Sequence, residues 1–362
     1  MKAKAMVLEE FNGPLLGKLL TLPQVDQGQV LVKIKASGVC GSDVHMWRGE
    51  DPRTPLPIIL GHEGVGEVVD VGGSVSTVQG EQIRRGDLVL WNRGVSCGRC
   101  YYCVVLKEPS LCNQRKVYGI NRSSDEYPHL NGCYAEYVLL TAGTDLFRIE
   151  TDIDPAVLVS ASCSGATVAH AFDLEAPKVG DTVVVQGPGP LGLYSVAFAR
   201  AYGASQIIVI GGSPSRMQLC EKFGATMLLN RKNTTVEERK HKILSVTGGR
   251  GADIVVEATG YASALVEGVN LVRPGGAYLS TGFAQPVGNI ELDPYTQIVR
   301  KNVKIQGVWV SDTSHTYRAM QLVLSQPELF KHMITHRFKL EDANQALQSM
   351  ADKMALKAVL TP

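Results

Sequence analysis

The run Val183-Val184-Val185-Gln186 passes directly into Gly187-Pro188-Gly189-Pro190-Leu191-Gly192. Three glycines at this spacing, after an apolar run and ahead of residues 191–202 that read as a helix, restrict the chain to a strand, a tight turn and a helix. Further short apolar runs at 206–210, 227–229, 254–257 and 277–280 are candidate buried parallel strands. With helical stretches between them, they predict a doubly wound α/β sheet in the middle of the chain.

Each glycine of the turn has its own task. Gly187 permits the tight turn, Gly189 lets backbone approach a pyrophosphate, and Gly192 lets helix and strand pack closely. The helix that opens at Pro190 and Leu191 adds amide donors and a positive dipole end. A dinucleotide site is therefore expected, rather than a glycine-rich turn without ligand. NAD-preferring sites place Asp or Glu about 20 residues on, where it accepts from the ribose 2′-hydroxyl. Here that place is Gly211, followed by Gly212-Ser213-Pro214-Ser215-Arg216. No carboxylate repels a 2′-phosphate, and Ser213, Ser215 and Arg216 can donate to one. NADP(H) is favoured over NAD(H); the alternative is a plain polar turn with Arg216 covering the adenine.

Residues 1 to about 160 have another texture. Short strands are expected at 30–34, 64–71 and 134–140, and prolines crowd 51–58. The last fifty residues carry a helical stretch at 317–325 and a strand-like 357–360, which are expected to pack on this first region. At 362 residues, two domains are expected. Lys plus Arg is 36 and Asp plus Glu is 35, so the net charge of +1 gives no reason to expect nucleic acid as a partner. No 18-residue apolar stretch predicts a membrane span, and MKAKAMVLEEF does not read as a secretory leader, so a cytoplasmic protein is expected.

In such a chain eight cysteines suggest metal or catalysis before disulfides. Cys97, Cys100, Cys103 and Cys112 put four thiolates on one short loop, which suits tetrahedral zinc with no open position. The first three also fit the start of a ferredoxin run, but the fourth is distant and no proline follows it. A second group is scattered: Cys40, Ser42, Asp43 and His45 lie within six residues, His62-Glu63 follows, and Cys163 precedes the middle region. A catalytic zinc keeps three protein ligands and one open position. Spacing alone leaves this second site open, since a lone His or Cys is more often simply packed.

Taken in order, several motifs resemble the zinc-dependent medium-chain alcohol dehydrogenases over essentially the whole chain. They are Gly38-Val39-Cys40-Gly41-Ser42-Asp43-Val44-His45, Gly61-His62-Glu63-Gly64-Val65-Gly66, Gly86-Asp87, the cysteine lobe, Gly132-Cys133-Tyr134-Ala135-Glu136-Tyr137, the glycine turn and Gly249-Arg250-Gly251-Ala252-Asp253. The resemblance implies a GroES-like β-barrel catalytic domain over 1–164, with 309–362 returning to it, and a Rossmann domain over 165–308, with the active site in the cleft between them. It implies Cys40, His62 and Cys163 as ligands of a catalytic zinc, Glu63 as a carboxylate able to approach or replace one, and Asp43 as the group orienting the histidine. Cys97, Cys100, Cys103 and Cys112 are implied for a structural zinc, giving two zinc ions per chain. Ser42 and His45 are implied as a proton relay, and Thr167 as a contact to the nicotinamide.

The implied reaction is hydride transfer between a small alcohol and its aldehyde or ketone, by a homodimer or homotetramer. A zinc-free quinone or enoyl reductase would lack Cys40, His62 and the lobe, and a non-catalytic sensor would have lost a ligand or the relay. The chain departs from the family at two points. Eight residues separate Cys103 from Cys112 where seven are common, and Gly41 stands where some members carry a phosphate-binding arginine. Arg93 falls where simple-alcohol enzymes often place an apolar residue. Arginine there suits a polar or anionic substrate; otherwise it pairs with a carboxylate of the protein.

Overall fold

The computed structural model describes all 362 residues. They fall into two compact units, Met1–Ala166 with Ser311–Pro362, and Thr167–Val310. No single helix is long and apolar enough to cross a membrane.

In the first unit the strands are β1 Lys2–Leu8, β2 Leu15–Thr21, β3 Val30–Val39, β4 Ile58–Ile59, β5 Gly64–Val71, β6 Leu88–Trp91, β7 Gly94–Val95, β8 Lys116–Val117, β9 Tyr137–Leu140 and β10 Leu146–Arg148. The large sheet has the order β10-β6-β5-β3, and β9 also pairs with β3. In β3, Val30, Val32 and Ile34 are buried while Lys33 and Lys35 are exposed, the alternation of a sheet with one wet face. β3 runs five residues past the expected 34, and bulges after Leu31 and Ile34 let it bend to reach Val39. The strand expected at 134–140 is shorter. β9 starts at Tyr137, because Tyr134 and Ala135 are drawn aside to β1: Met6 N–H donates to the Tyr134 carbonyl (2.8 Å) and Ala135 bridges Ala5. Together these sheets form the GroES-like barrel.

In the second unit the strands are β11 Thr182–Gln186, β12 Gln206–Gly211, β13 Met227–Asn230, β14 Ala252–Glu257, β15 Val272–Ser280 and β16 Lys304–Gly307. All pair in parallel in the order β13-β12-β11-β14-β15-β16. This is the Rossmann arrangement, with its switch point between β11 and β14. Val183, Val184 and Val185 are fully buried, as both faces of a parallel sheet demand. β15 begins five residues before the expected 277, through Arg273-Pro274-Gly275-Gly276, which no apolar run announces.

The remaining strands, β17 His336–Lys339 and β18 Ala358–Thr361, return to the first unit. β18 pairs antiparallel with β3, Ala358 opposite Val39.

Candidate functional site

β3 delivers Cys40 to the start of helix Gly41–Trp47. The Cys40 N–H donates to Asp43 Oδ2 (2.7 Å), so Asp43, three residues in, satisfies an amide that the first turn leaves unpaired. Asp43 is fully buried, and Tyr134 O–H donates to the same Oδ2 (3.2 Å). Its other oxygen lies 3.2 Å from His62 Nδ1, at ion-pair distance but off hydrogen-bond alignment. The imidazole is thus fixed with Nε2 facing Cys163 Sγ and Ser42 Oγ, each at 3.3 Å. Gly61 sets this course: its φ is +93°, and an added Cβ would meet the Tyr134 ring at 2.4 Å. Cys163 follows the 3-10 turn Val159–Ser162, and its Sγ is 3.9 Å from Cys40 Sγ.

The donor atoms of Cys40, His62, Glu63 and Cys163 all lie within 4.8 Å of one another. Zinc bonds of about 2.3 Å to sulfur and about 2.0 Å to nitrogen set tetrahedral edges of about 3.8 Å between sulfurs and about 3.5 Å between sulfur and nitrogen. The observed 3.9 and 3.3 Å fit that figure. Electrostatics agree. The hydrogen bond from Cys163 holds the Cys40 thiol well below its usual range against the cost of burial, helped by the charges of Lys357 and His62. Burial lowers the His62 pKa, but Asp43 and Cys40 outweigh it and raise it to about 9.

Sequence reasoning missed Lys357. It is 1% exposed, and its Nζ donates to both oxygens of the fully buried Glu63, at 2.9 and 2.8 Å. Gly38 makes room for this carboxylate, since a Cβ there would lie 2.1 Å from Glu63 Oε2. In the sequence it stands only as the first residue of the strand-like 357–360, with nothing to mark a partner.

Arg93, 6% exposed, pairs with no protein carboxylate. Its Nη1 donates to Cys163 Sγ at 2.8 Å, beside the donor group. Ser42 and His45 share a helix face at i, i+3 but are not hydrogen-bonded to each other. His45 Nδ1 instead lies 2.5 Å from Glu50 Oε2.

The sulfurs of Cys97, Cys100, Cys103 and Cys112 form a second group within 4.8 Å. Helix Tyr101–Val104 and the 3-10 turn Pro109–Leu111 absorb the longer loop between Cys103 and Cys112. The Arg99 backbone N–H leads the interactions that bring the Cys97 thiol down to about 6. Four thiols and no nearby imidazole make a closed sulfur site.

In the second unit Gly187 has φ +107°, and a Cβ on Gly192 would lie 1.8 Å from the Gly187 carbonyl oxygen. Gly189 caps helix Pro190–Ala201, with Pro190 in its first turn, and an added Cβ would meet nothing within 4 Å. Backbone amides therefore face open space at the switch point, as a pyrophosphate requires. Across it, fully buried Glu257 accepts from the Thr259 N–H (2.5 Å), Gly260 N–H (2.6 Å) and Gly282 N–H (3.1 Å), tying together the loops after β14 and β15. Gly211 has no room for a side chain, since a Cβ would lie 2.8 Å from Pro188 Cγ. Gly212 is different: a Cβ there would meet Arg231 Nε at 3.2 Å and Lys232 Cε at 3.5 Å. These two cations, beyond β13, add to Arg216 and to Ser213 and Ser215, whose hydroxyls are 3.4 Å apart. Thr167 opens the unit, 8% exposed.

The family described as "Alcohol dehydrogenase GroES-like domain" matches residues 26–151, and that described as "Zinc-binding dehydrogenase" matches 190–325. A 5-exo-hydroxycamphor dehydrogenase of Pseudomonas putida is 36% identical over 92% of this chain and 91% of its own. The chain belongs to the zinc-containing medium-chain alcohol dehydrogenases. An alcohol dehydrogenase from Thermotoga maritima has a similar structure, with TM-score 0.97 and 51% identity over the whole of both chains. A zinc-binding dehydrogenase from Sinorhizobium meliloti, solved bound to NADP, aligns over the whole of both chains with TM-score 0.87 and 28% identity. This medium-chain dehydrogenase is accordingly an oxidoreductase of the alcohol dehydrogenase family.

Proposed function

We propose that this dehydrogenase holds two zinc ions per chain and moves hydride between an alcohol and NADP(H). The observation that carries the reading is the donor spacing of Cys40, His62 and Cys163, which matches a tetrahedral metal with one position left over. Residues 1–164 with 309–362 form the catalytic domain, and 165–308 the dinucleotide-binding domain. Cys97, Cys100, Cys103 and Cys112 hold the structural zinc.

When bound, the catalytic zinc supplies Lewis acidity toward the substrate oxygen, and the nicotinamide accepts or returns the hydride. The chain's own residues do the rest. Asp43 keeps the His62 ring in one orientation, so its Nε2 is presented without rotational freedom. Lys357 holds Glu63 by both carboxylate oxygens, within reach of the donor group but restrained from it. Ser42 would take the alcohol proton and, through a bridging hydroxyl or water, pass it to His45, which Glu50 holds on the way to solvent. Thr167 contacts the nicotinamide end. Gly187, Gly189, Pro190, Leu191 and Gly192 present backbone to the pyrophosphate. Gly211 closes β12 without a carboxylate, while Ser213, Ser215 and Arg216, with Arg231 and Lys232, receive a 2′-phosphate. Arg93 faces a polar or anionic alcohol. The unpaired edge of β16, with Ile305 exposed, supports self-association into a dimer or tetramer.

Elemental analysis tests the metals: two zincs are expected, and one after Cys40→Ser, with turnover abolished. A single zinc in the native protein, or iron with visible absorbance, overturns the assignment. Initial rates test the cofactor. Native enzyme is expected to favour NADP⁺ in kcat/KM, and Gly212→Asp to reverse the preference, since only flexible side chains must yield to it. A tenfold native preference for NAD⁺ refutes this part.

A further inference from the structure

The two-residue ladder β7–β8 pairs Gly94 with Val117, and Tyr118 N–H donates to the Arg93 carbonyl at 3.1 Å. The ladder carries Arg115 in against the glycine that follows Arg93. An added Cβ on Gly94 would lie 2.2 Å from Arg115 Nε and 2.3 Å from its Nη2, so the guanidinium occupies the space a side chain would need. Arg115 Nη2 donates to the Ser311 carbonyl at 2.5 Å, while its Nε and Nη1 are buried with no partner. The like charge of Arg93 acts on it, while Asp312 and Cys112, whose carbonyl accepts the Arg115 N–H at 3.1 Å, act in the opposite sense.

Neither nearby carboxylate hydrogen-bonds the Arg115 guanidinium. Asp51 is held by Arg53 as a two-pronged pair, Nε to Oδ1 at 2.9 Å and Nη2 to Oδ2 at 2.6 Å. Asp312 raises the Arg115 pKa from a distance, but its carboxylate is held by His315 Nδ1 and Ser314 Oγ, each at 2.8 Å. Arg93 donates only its Nη1, to Cys163; its Nε and Nη2 make no hydrogen bond within the protein. A buried charged donor without an acceptor is costly, and fork-shaped donors match an oxyanion.

We propose that the alcohol substrate carries an oxyanion, a carboxylate or a phosphate or phosphonate, bound by the open donors of Arg93 with Arg115 as the second cation. The proposal rests on the reading of Cys40, His62 and Cys163 as the zinc site, because Arg93 touches Cys163. It assigns Arg115, three residues beyond the last cysteine of the lobe, as a specificity-determining residue.

The test compares matched pairs on the zinc-loaded enzyme: a hydroxy acid against its amide, and a phosphorylated diol against the free diol. Native enzyme is expected to favour at least one charged member by more than tenfold in kcat/KM, and the favoured pair identifies the anion. Arg115→Met is expected to cut that ratio by about ten- to a hundredfold, through KM, as loss of a charged hydrogen-bond partner does. Arg115→Lys should restore part of it. Calorimetry with succinate and with inorganic phosphate gives a reading independent of turnover: saturable binding to native enzyme, lost in Arg115→Met at unchanged zinc content. Equal rates within both pairs, no saturable binding of either probe, or a ratio unmoved by Arg115→Met overturns the proposal. If neutral alcohols still turn over with two zincs bound, the zinc-dehydrogenase reading survives that failure. A protein without zinc and without turnover removes both.

Discussion

Replacing Lys357 by methionine isolates the contact that restrains Glu63. In the native protein the ammonium is 1% exposed, the carboxylate is not exposed at all, and the two make a double hydrogen bond at 2.8 and 2.9 Å. The only other acceptor near Nζ is the Val39 carbonyl, at 3.5 Å. Methionine keeps most of the volume, so packing changes little, but Glu63 is left as a buried anion that must protonate or stay uncompensated. Breaking a buried pair in this way costs about 3–5 kcal/mol. In a unit of this size each kcal/mol shifts Tm by about 2–4 °C, so the unit should melt roughly 6–20 °C lower. The double variant Lys357→Met, Glu63→Gln removes both charges and should recover at least half of the loss, because the orphaned anion is gone. The assay is denaturant unfolding with zinc content held equal, followed by tryptophan fluorescence; Trp91 is fully buried in the same unit. A loss below 1 kcal/mol in the lysine variant, or a double variant in which the two losses simply add, would refute the reasoning.

Two further outcomes follow from the geometry. Gly192→Ala places a methyl 1.8 Å from the Gly187 carbonyl, a backbone atom that cannot swing aside, so dinucleotide affinity should fall at least a hundredfold by fluorescence titration. Affinity within threefold of native would contradict the close-packed turn. Asp312 accepts from the His315 N–H and caps helix Thr313–Ser325, so Asp312→Ala should cost about 1 kcal/mol in thermal unfolding. Burial opposes the charge on Asp312, but the hydrogen bond and charge of His315 prevail and hold its pKa well below the ordinary carboxylate range. The deficit should therefore shrink as the pH falls from about 4 toward the lowered native value; a deficit that grew over that acid window would have the wrong sign.

The second unit was largely legible in the sequence because a parallel strand buried on both faces must be an unbroken apolar run. The runs at 182–186 and 206–210 lie on β11 and β12 nearly end to end. Where the rule lapses the reading shortened: β15 begins through Arg273, Pro274 and two glycines, held by its neighbours rather than by its own composition. In the first unit a wet face and bulges blur the alternation, and β1 and β2 carried no signal that was read. The metal groups were legible for another reason, since four cysteines on one loop have few other uses. Residues that act through long-range packing were not. Lys357 meets Glu63 from 294 positions away, and Arg115 meets Arg93 only through a two-residue ladder. Neither pairing leaves a local pattern. Arg93 was singled out by its position, but its hydrogen bond to Cys163 needed the fold.

The pairing of β18 with β3 sets the order in which this protein can be made. Val39 waits for Ala358, while the whole Rossmann unit is synthesised between them. That second unit closes on local strand–helix contacts and can fold as it emerges, whereas the large sheet of the first unit lacks β18 and β17, and the Ser37–Val39 edge of β3 stays uncovered, until the end of the chain arrives. The same late step brings Lys357 to Glu63. Until then Glu63 lacks its two-pronged partner, so the metal pocket gains its lysine only when the chain is nearly complete. A nascent chain stalled before β18 would thus display a finished nucleotide fold joined to a sticky, half-built barrel, the form for which a chaperone would have most to do.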